Sequence, residues 1–377
     1  MKSRLFAPGP TMVPEETLAA VGEAPMHHRS PEFRALYQEV TENLSYVYQT
    51  ASSPLVFSSS GSGAMEATVA NLFSRGDRVA VVEAGWFGMR WRDICKAFGL
   101  EVLSYSVPRE EGTDADDLAS WLAEQGDVRG LLLTHSETST GTFHDVQAAA
   151  RKVKDKNILF VVDAVTSLGV HELKMDEWGL DAVVCGSQKA LMCPPGLSTI
   201  ALSEKAWAAA ERSDLPKYYF DFRANRESYE KSSQPRFTIA TSLVKGLGVS
   251  LRMIRDEGIE AIVERHCRLG SAVRAGVAAL GLDLFSRNPN NAVTAILPPK
   301  GIEVEQIRQA LLKEHGIRVA GGQGDMNGKI FRIGHLGYYD RGDMLTVIGA
   351  LEAVLAKLGV PVEPGRAVAA VQEGWGH

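Results

Sequence analysis

Short apolar runs alternate with helical patterns along the first two thirds of the chain. Continuous apolar strands separated by amphipathic helices are typical of a parallel sheet that is covered on both faces. Apolar residues at helical spacing lie between several of the runs, as in Met65, Val69, Leu72 and Phe73. The pattern therefore predicts an α/β domain. Its strands are expected at Leu55–Phe57, Val79–Glu83, Val102–Val107, Gly130–Thr134, Ile158–Val162, Ala182–Cys185 and Ser198–Leu202.

The pattern of apolar and polar residues changes in the last third of the chain. A polar stretch from about residue 215 to 241 is followed by two long helical patterns, and then by a compact mixture of strands and helices that predicts a smaller α+β domain. We expect an arm at residues 1–20, a large domain at 21–258 and a small domain at 259–377, with a surface extension from Pro361. The predicted elements after residue 241 are helices Leu243–Asp256, Ile259–Leu280, Val304–His315 and Met344–Leu358, and strands Ala292–Leu297, Ile317–Ala320 and Lys329–Gly334.

Composition narrows the classes of protein. Hydrophobic residues make up 45% and charged residues 23%, which is typical of a folded chain, and the net charge of −6 gives no overall attraction to nucleic acid or to an anionic membrane. No apolar run approaches the roughly 20 residues of a membrane helix. The four cysteines form no CxxC pair, so neither a disulfide framework nor a metal site is expected. These features predict a soluble, cytoplasmic protein.

A Gly/Ser-rich turn joins the first predicted strand to a helix. The turn runs from Ser58 to Gly63, and the helix follows from Ala64. Free N–H groups and the positive end of the helix dipole make such a junction suited to phosphate, with Ser62 and Gly63 as donors. An ordinary capped helix after a glycine turn remains the alternative, since neither the Walker pattern nor GxGxxG is present.

Two charged residues follow buried strands. Asp163 closes the strand that ends at Val162, and Lys189 follows the strand that ends at Cys185. Ligands of open α/β sheets bind at the carboxyl ends of strands, where a desolvated lysine becomes nucleophilic. A turn-capping aspartate and a lysine that extends to solvent are the alternatives. Together with the phosphate turn, however, these are the parts that a pyridoxal 5′-phosphate (PLP) site requires: a lysine for the Schiff base and a carboxylate for the pyridine nitrogen.

The chain resembles the class-V, fold-type I aminotransferases, in particular the alanine–glyoxylate and serine–glyoxylate (serine–pyruvate) group. The resemblance extends from Phe6–Thr11 to Phe331–Gly337. The motifs that carry it are Gly186-Ser187-Gln188-Lys189-Ala190-Leu191 with Pro194-Pro195-Gly196, His135-Ser136-Glu137-Thr138-Ser139-Thr140-Gly141, and Asp163-Ala164-Val165. It implies a large domain with a mostly parallel seven-stranded sheet and a small C-terminal α+β domain.

The resemblance also implies a role for each matching residue. Lys189 would hold the cofactor and move the substrate proton, and Asp163 would bind the ring nitrogen. Val165 and Phe87 would pack on the two ring faces, with Trp86 one residue away from the second position. Arg332 would bind the substrate carboxylate through two parallel N–H···O bonds. The remaining implied contacts are Thr138 to the ring hydroxyl, Ser62, Gly63 and Gln188 to the phosphate, and Gly9, on the N-terminal arm, in the substrate pocket.

The family is dimeric, and each site is completed by the neighbouring subunit. Thr238 matches a residue that reaches the partner's phosphate. Family members often carry a tyrosine a few residues earlier, whereas this chain has Gln234-Pro235-Arg236 there. Arg236 is one candidate to replace that tyrosine as a phosphate ligand.

These features predict a ping-pong transaminase that uses alanine or serine as donor and glyoxylate or pyruvate as acceptor. Aminoethylphosphonate–pyruvate and ureidoglycine–glyoxylate transaminases share the motifs and remain alternatives. A PLP lyase such as a cysteine desulfurase is less favoured, because residues 318–329 contain no nucleophilic cysteine. A non-catalytic hydrogenase-associated subunit is also less favoured, because Lys189, Asp163 and Arg332 are all present.

Overall fold

The computed structural model describes residues 2–154 and 157–375. Its helices are α1 (Glu15–Gly22), α2 (Pro31–Tyr48), α3 (Gly61–Leu72), α4 (Trp86–Ala97), α5 (Ala115–Glu124), α6 (Val146–Val153), α7 (Met175–Trp178), α8 (Glu204–Ala210), α9 (Phe222–Ser232), α10 (Thr241–Glu257), α11 (Ile259–Ala279), α12 (Val304–His315), α13 (Arg341–Lys357) and α14 (Arg366–Gly374). Its strands are β1 (Arg4–Phe6), β2 (Leu55–Phe57), β3 (Arg78–Glu83), β4 (Glu101–Ser106), β5 (Gly130–Thr134), β6 (Ser136–Glu137), β7 (Thr142–Phe143), β8 (Leu159–Asp163), β9 (Ala182–Gly186), β10 (Ser198–Leu202), β11 (Val293–Ile296), β12 (Ile317–Gly321) and β13 (Phe331–Gly334).

A seven-stranded sheet forms the centre of the large domain, in the order β2-β10-β9-β8-β5-β3-β4. Neighbouring strands from β9 to β4 run parallel, and β10 is antiparallel to both of its neighbours. Separate apolar clusters cover the two faces, one including Phe160 and Val162 and the other including Leu159 and Val161. The predicted α/β class and the mostly parallel seven-stranded sheet are confirmed.

A second sheet, in the order β1-β12-β13-β11, forms the core of the small domain. Strand β1 pairs parallel with β12, so that Phe6 lies beside Val319 and contributes to the small domain's apolar core. An arginine followed by two apolar residues does not by itself predict a strand, and β1 was not predicted. The chain therefore begins in the small sheet, crosses to the large domain at α1 and returns at α11. The predicted domain boundaries stay predictions.

The prediction of a surface extension from Pro361 is wrong. Helix α14 buries Ala367 and Val371 completely. A Cβ at Gly276 of α11 would lie 2.9 Å from a methyl carbon of Val371, so the two helices approach closely where a glycine permits it. The helix has only nine residues and its apolar side chains are alanines and valines, so its sequence does not stand out as a core-packing helix.

Four histidines are buried in the described part of the chain, namely His135, His144, His266 and His335, and His171 is partly buried. Burial lowers the pKa of His144 to about 4 and those of His171 and His266 to about 3. Several of the ring nitrogens accept hydrogen bonds that require a neutral ring. The backbone N–H of Gly337, for example, donates to His266 Nε2 at 2.9 Å.

We expect acid to destabilise the fold through these rings. Each histidine remains neutral in the folded state, whereas the unfolded chain takes up a proton below about pH 6.5, so this stabilisation is present above pH 6.5 and is lost as the pH falls toward 3–4. Up to about 2 kcal/mol per ring would be lost between pH 7 and pH 5. Asp163 opposes the trend, because its raised pKa favours the protonated folded state, but it is a single group.

The measurement is the melting temperature of the protein between pH 7 and pH 5 at constant ionic strength. A fall of about 5 °C or more is expected. The variant His266→Gln, which keeps an acceptor for the N–H of Gly337, should show a shallower dependence on pH. A melting temperature that is unchanged or higher at pH 5 would contradict the expectation.

Candidate active site

A cavity opens at the carboxyl ends of the parallel strands. Asp163 ends β8 and Lys189 follows β9, while Phe87 lies in the first turn of α4 after β3 and Thr138 follows β6, which comes directly after β5. The connections after four parallel strands therefore place these side chains at one edge of the sheet. The turn between β2 and α3 also lines the cavity. The lining residues are Ser60, Gly61, Ser62, Met65, Phe87, Arg90, Ser136, Thr138, Asp163, Val165, Thr166, Gln188 and Lys189.

Most of the predicted site residues lie on this cavity: Ser62, Phe87, Thr138, Asp163, Val165, Gln188 and Lys189. Gly63, Gly9, Arg332 and Thr238 are not on its wall. Phe87 lines the cavity, whereas Trp86 does not and is 37% exposed. Between these two neighbouring aromatic residues, the geometry therefore favours Phe87 for contact with a ring in the cavity.

The Lys189 ammonium lies between the N-terminal arm and the cavity. Its Nζ donates a hydrogen bond of 2.6 Å to the backbone oxygen of Pro8. Burial, with smaller contributions from the positive charges of Arg332 and Arg90, lowers its pKa to about 8 against the opposing negative charge of Asp163. The amine is consequently much closer to its neutral, nucleophilic form at physiological pH than an exposed lysine would be.

Gly9 lies against this lysine. A Cβ at residue 9 would stand 2.2 Å from Lys189 Nζ, and the backbone φ of +128° is one that residues with side chains rarely adopt. Only glycine fits this position without displacing the lysine. Gly9 is thus next to the reactive amine, although it is not on the cavity wall.

Asp163 is 3% exposed, and burial raises the pKa of its carboxyl group to about 6. Oδ1 accepts a hydrogen bond of 2.8 Å from the backbone N–H of Val165. Oδ2 has a contact of 3.5 Å with Thr134 Oγ1, which is too long to satisfy a carboxylate oxygen. One carboxylate oxygen is therefore poorly satisfied beside the cavity and would accept a proton or a cationic N–H group.

The start of helix α3 forms a narrow concave seat. The Ser60 hydroxyl accepts from the N–H of Gly63, and a Cβ at Gly61 would lie 2.7 Å from a methyl carbon of Val165. Gln188 Oε1 is buried without a hydrogen-bond partner among the described residues. A helix N-terminus and a serine hydroxyl fit a phosphate group, and Gln188 would serve a phosphate through the N–H groups of its amide, since its oxygen is an acceptor.

A buried carboxylate that sequence reasoning did not select fixes the start of helix α4. Glu137 is 1% exposed and accepts hydrogen bonds from the backbone N–H groups of Phe87 (2.9 Å) and Gly88 (3.2 Å). It also accepts from the backbone N–H and the hydroxyl of Ser139. A negative charge at a helix N-terminus is favourable. Glu137 therefore holds the segment that places Phe87 over the cavity.

Arg332 of β13 is an almost fully buried guanidinium with neutral partners. It donates to the backbone oxygen of Gly321 at 2.8 and 2.6 Å, to that of Thr138 at 2.6 Å, and to Gln323 Oε1 at 3.3 Å. No carboxylate lies within ion-pair distance of it in residues 2–154 and 157–375. Burial lowers its pKa to about 10, against the opposing negative charge of Glu137, so the guanidinium stays charged with no carboxylate in direct contact.

The predicted inter-subunit residues lie on the surface. Thr238 is exposed, and its hydroxyl is 3.5 Å from His28 Nε2. The Arg236 guanidinium lies over the rings of Tyr218 and Phe237 and donates to the backbone oxygen of Tyr218 at 3.3 Å. Neither residue lines the cavity of its own chain, and a contribution to a partner's site stays a prediction.

No helix among the described residues is long and apolar enough to cross a membrane. In the same part of the chain, no group of three or more histidine, cysteine, aspartate or glutamate residues is arranged to hold a metal ion.

The sequence matches the family model of the class-V aminotransferases over residues 4–327. It is 44% identical to the soluble hydrogenase small subunit of a Synechococcus species, with 98% of this chain and 97% of that one aligned. It is 39% identical to the L-aspartate–glyoxylate aminotransferase of Paracoccus denitrificans, over 98% of this chain and 95% of that one.

Two solved structures are similar along nearly the whole chain. The ureidoglycine–glyoxylate aminotransferase of Bacillus subtilis has a TM-score of 0.94 at 29% identity and covers 100% of this chain and 99% of its own. The alanine–glyoxylate aminotransferase of a Nostoc species has a TM-score of 0.90 at 32% identity and covers 94% and 96%.

Proposed function

The chain belongs to the class-V aminotransferase family, and from that membership we propose that it transfers the amino group of alanine or serine to glyoxylate or pyruvate. The family generally depends on PLP, and we propose PLP as the cofactor of this chain. The observation that carries the proposal is the buried, uncompensated guanidinium of Arg332 close to the Lys189 amine. A small amino acid would supply a carboxylate for the Arg332 guanidinium and a Cα proton for the Lys189 amine.

The cavity fits PLP in its chemistry. Asp163 would accept the ring N–H through its poorly satisfied oxygen, Val165 and Phe87 would cover the ring faces, and Thr138 would bind the ring hydroxyl. Ser62, Gly63 and the amide N–H groups of Gln188 would bind the phosphate. When bound, the cofactor supplies an electron-accepting ring that stabilises negative charge at the substrate Cα.

The residues of the chain would divide the remaining work. Lys189, with its lowered pKa, would take the proton from Cα and return it on the acceptor side of the reaction. Arg332 would fix the substrate carboxylate through two parallel N–H···O bonds and so orient the Cα–H bond. Gly9 would keep the space beside the amine open for a small side chain.

We also propose a homodimer whose sites are shared. Thr238 is exposed, as a residue that serves a neighbouring subunit must be, and Tyr218 close by is 73% exposed. Arg236 is engaged with its own chain, which argues against its replacing the family's phosphate-binding tyrosine.

A ureidoglycine donor is the alternative with a specific observation in its favour, namely the TM-score of 0.94 to the Bacillus subtilis enzyme. The relative named for aspartate and glyoxylate adds aspartate to the donors worth testing. A non-catalytic subunit, suggested by the relatives named as hydrogenase subunits, is disfavoured because Lys189, Asp163 and Arg332 are all in place.

The experiment is a substrate panel read from the cofactor spectrum. Purified protein supplied with PLP is mixed with alanine, serine, aspartate or aminoethylphosphonate, and then with glyoxylate, pyruvate or 2-oxoglutarate. Alanine or serine is expected to bleach the cofactor band, and glyoxylate or pyruvate to restore it. Bleaching by aspartate or aminoethylphosphonate alone would overturn the proposed substrates and leave the transaminase. No bleaching with any amino donor would overturn both.

A further inference from the structure

The proposed phosphate seat consists of neutral groups. Ser62 offers a hydroxyl, Gly63 a backbone N–H and Gln188 an amide. A phosphate monoester carries a charge of about −1.5 to −2 at neutral pH. Charges withdrawn from water into a protein cavity require a partner of opposite sign. The seat is therefore incomplete without a cation.

Arg90 is a cation on the cavity wall that sequence reasoning did not select. Its Nη1 donates a hydrogen bond of 2.7 Å to Ser62 Oγ, the hydroxyl assigned to the phosphate. The guanidinium carbon stands 4.7 Å from the centre of the Phe87 ring. Residues three apart on α4 share one face of the helix, which explains how Phe87 and Arg90 reach the same cavity. The described carboxylates all lie beyond ion-pair distance of Arg90.

The other nearby cations are committed elsewhere. Lys189 faces the carbonyl of Pro8 and is the proposed nucleophile. Arg332 is held by the backbone oxygens of Gly321 and Thr138 and is not on the cavity wall. Arg236 is 3.8 Å from Asp221 of its own chain. Arg90 alone among these four combines a place on the cavity wall with a direct bond to the phosphate seat.

We propose that Arg90 is the cation that neutralises the phosphate of the cofactor, sharing the Ser62 hydroxyl with it. The inference rests on the proposed function, because it assumes that a phosphate occupies this seat. In this proposal Arg90 has two roles. Its guanidinium packs against the ring of Phe87, and its positive charge neutralises the phosphate.

One electrostatic consequence supports this assignment. The positive charge of Arg90 contributes to the lowered pKa of Lys189, and it also favours ionised Asp163 against the larger effect of burial. An uncompensated positive charge thus reaches both proposed catalytic groups. A phosphate beside Arg90 would screen that charge from them.

The test compares two ligands that differ only in the phosphate. Cofactor-free protein is titrated with PLP and, separately, with pyridoxal, and binding is followed by absorbance. Arg90→Met keeps much of the side-chain length and removes the charge. It is expected to weaken PLP binding by about 10- to 100-fold, as for loss of a charge-assisted hydrogen bond, and to change pyridoxal binding by less than about 2-fold.

Two further variants complete the design. Arg90→Lys retains a cation and should recover part of the PLP affinity, and it also serves if Arg90→Met does not fold. Arg92→Met is the matched control, because Arg92 lies on the same helix and forms ion pairs with Glu83 and Asp93 instead. It should leave both affinities within about 2-fold of the wild type.

Each outcome decides the question. Equal losses for PLP and pyridoxal would overturn the proposal and make Arg90 a support for Phe87. Unchanged PLP affinity in both Arg90 variants would overturn it as well. Wild-type protein that binds neither ligand would overturn the proposed function itself, a failure distinguishable from the loss of phosphate selectivity in a variant.

Discussion

Lys189→Ala is expected to lower the turnover number for transamination by at least about 10³-fold. Proton transfer by a positioned side chain contributes about 10²- to 10⁴-fold in enzymes, and Lys189 is also the proposed nucleophile, so both contributions are lost together. The rate is measured with alanine and glyoxylate at saturation. The fold should survive, since the lysine side chain forms one hydrogen bond, to the oxygen of Pro8.

The control for this variant is Lys96→Ala, at an exposed lysine in the last turn of α4. It should retain full activity. The melting temperature of Lys189→Ala is measured in parallel, to separate lost chemistry from lost structure. Retention of a tenth or more of wild-type turnover by folded Lys189→Ala would place the chemistry elsewhere in the molecule.

Arg332→Gln is expected to lower kcat/KM for alanine by about 10²- to 10⁴-fold. The two N–H···O bonds to a carboxylate are charge-assisted, and each is worth about 1.5–3 kcal/mol. The loss should depend on the substrate carboxylate, so the test compares alanine with ethylamine, which lacks one. The rate with ethylamine, already low in the wild type, should change by less than about 3-fold.

Arg318→Gln is the matched control, since Arg318 lies on the adjacent strand β12 and is exposed. It should behave as the wild type with both amines. Because Gly321 and Thr138 would lose a donor in Arg332→Gln, the affinity for PLP is measured as well. Equal losses with alanine and ethylamine would show that Arg332 supports the architecture and does not bind the carboxylate.

Sequence reasoning located the buried strands best. Gly130–Thr134 and Ser198–Leu202 were predicted to the residue, because a strand buried on both faces is a continuous apolar run. Sequence reasoning missed β1 and α14. Both elements pack against segments that are distant in the sequence, and these contacts form only when the chain folds. Arg4–Phe6 gains its partner from residues 317–319, and no local pattern carries that information.

The residues of the candidate site also fall into those that the sequence predicts and those that it does not. Asp163 and Lys189 follow strands directly, so their meeting at one edge of the sheet follows from the parallel topology. Glu137 was within a recognised motif but was given no task, because its hydrogen bonds go to the backbone of α4, some fifty residues earlier. Arg90 was overlooked because an arginine in a helix is usually solvated. Its position three residues after Phe87 was the available signal.

The pairing of β1 with β12 has a consequence for biosynthesis. Ribosomes add about 5–20 residues per second, so the roughly 310 residues between these strands take about 15–60 s to make. During that time residues 4–6 have no strand to pair with, and the Pro8 oxygen that accepts from Lys189 is not yet held in place. The contact between the N-terminal arm and Lys189 therefore forms late, after the seven strands of the large sheet have all been synthesised. A nascent chain stalled before residue 317 would carry the lysine and the aspartate without the arm that lies against them.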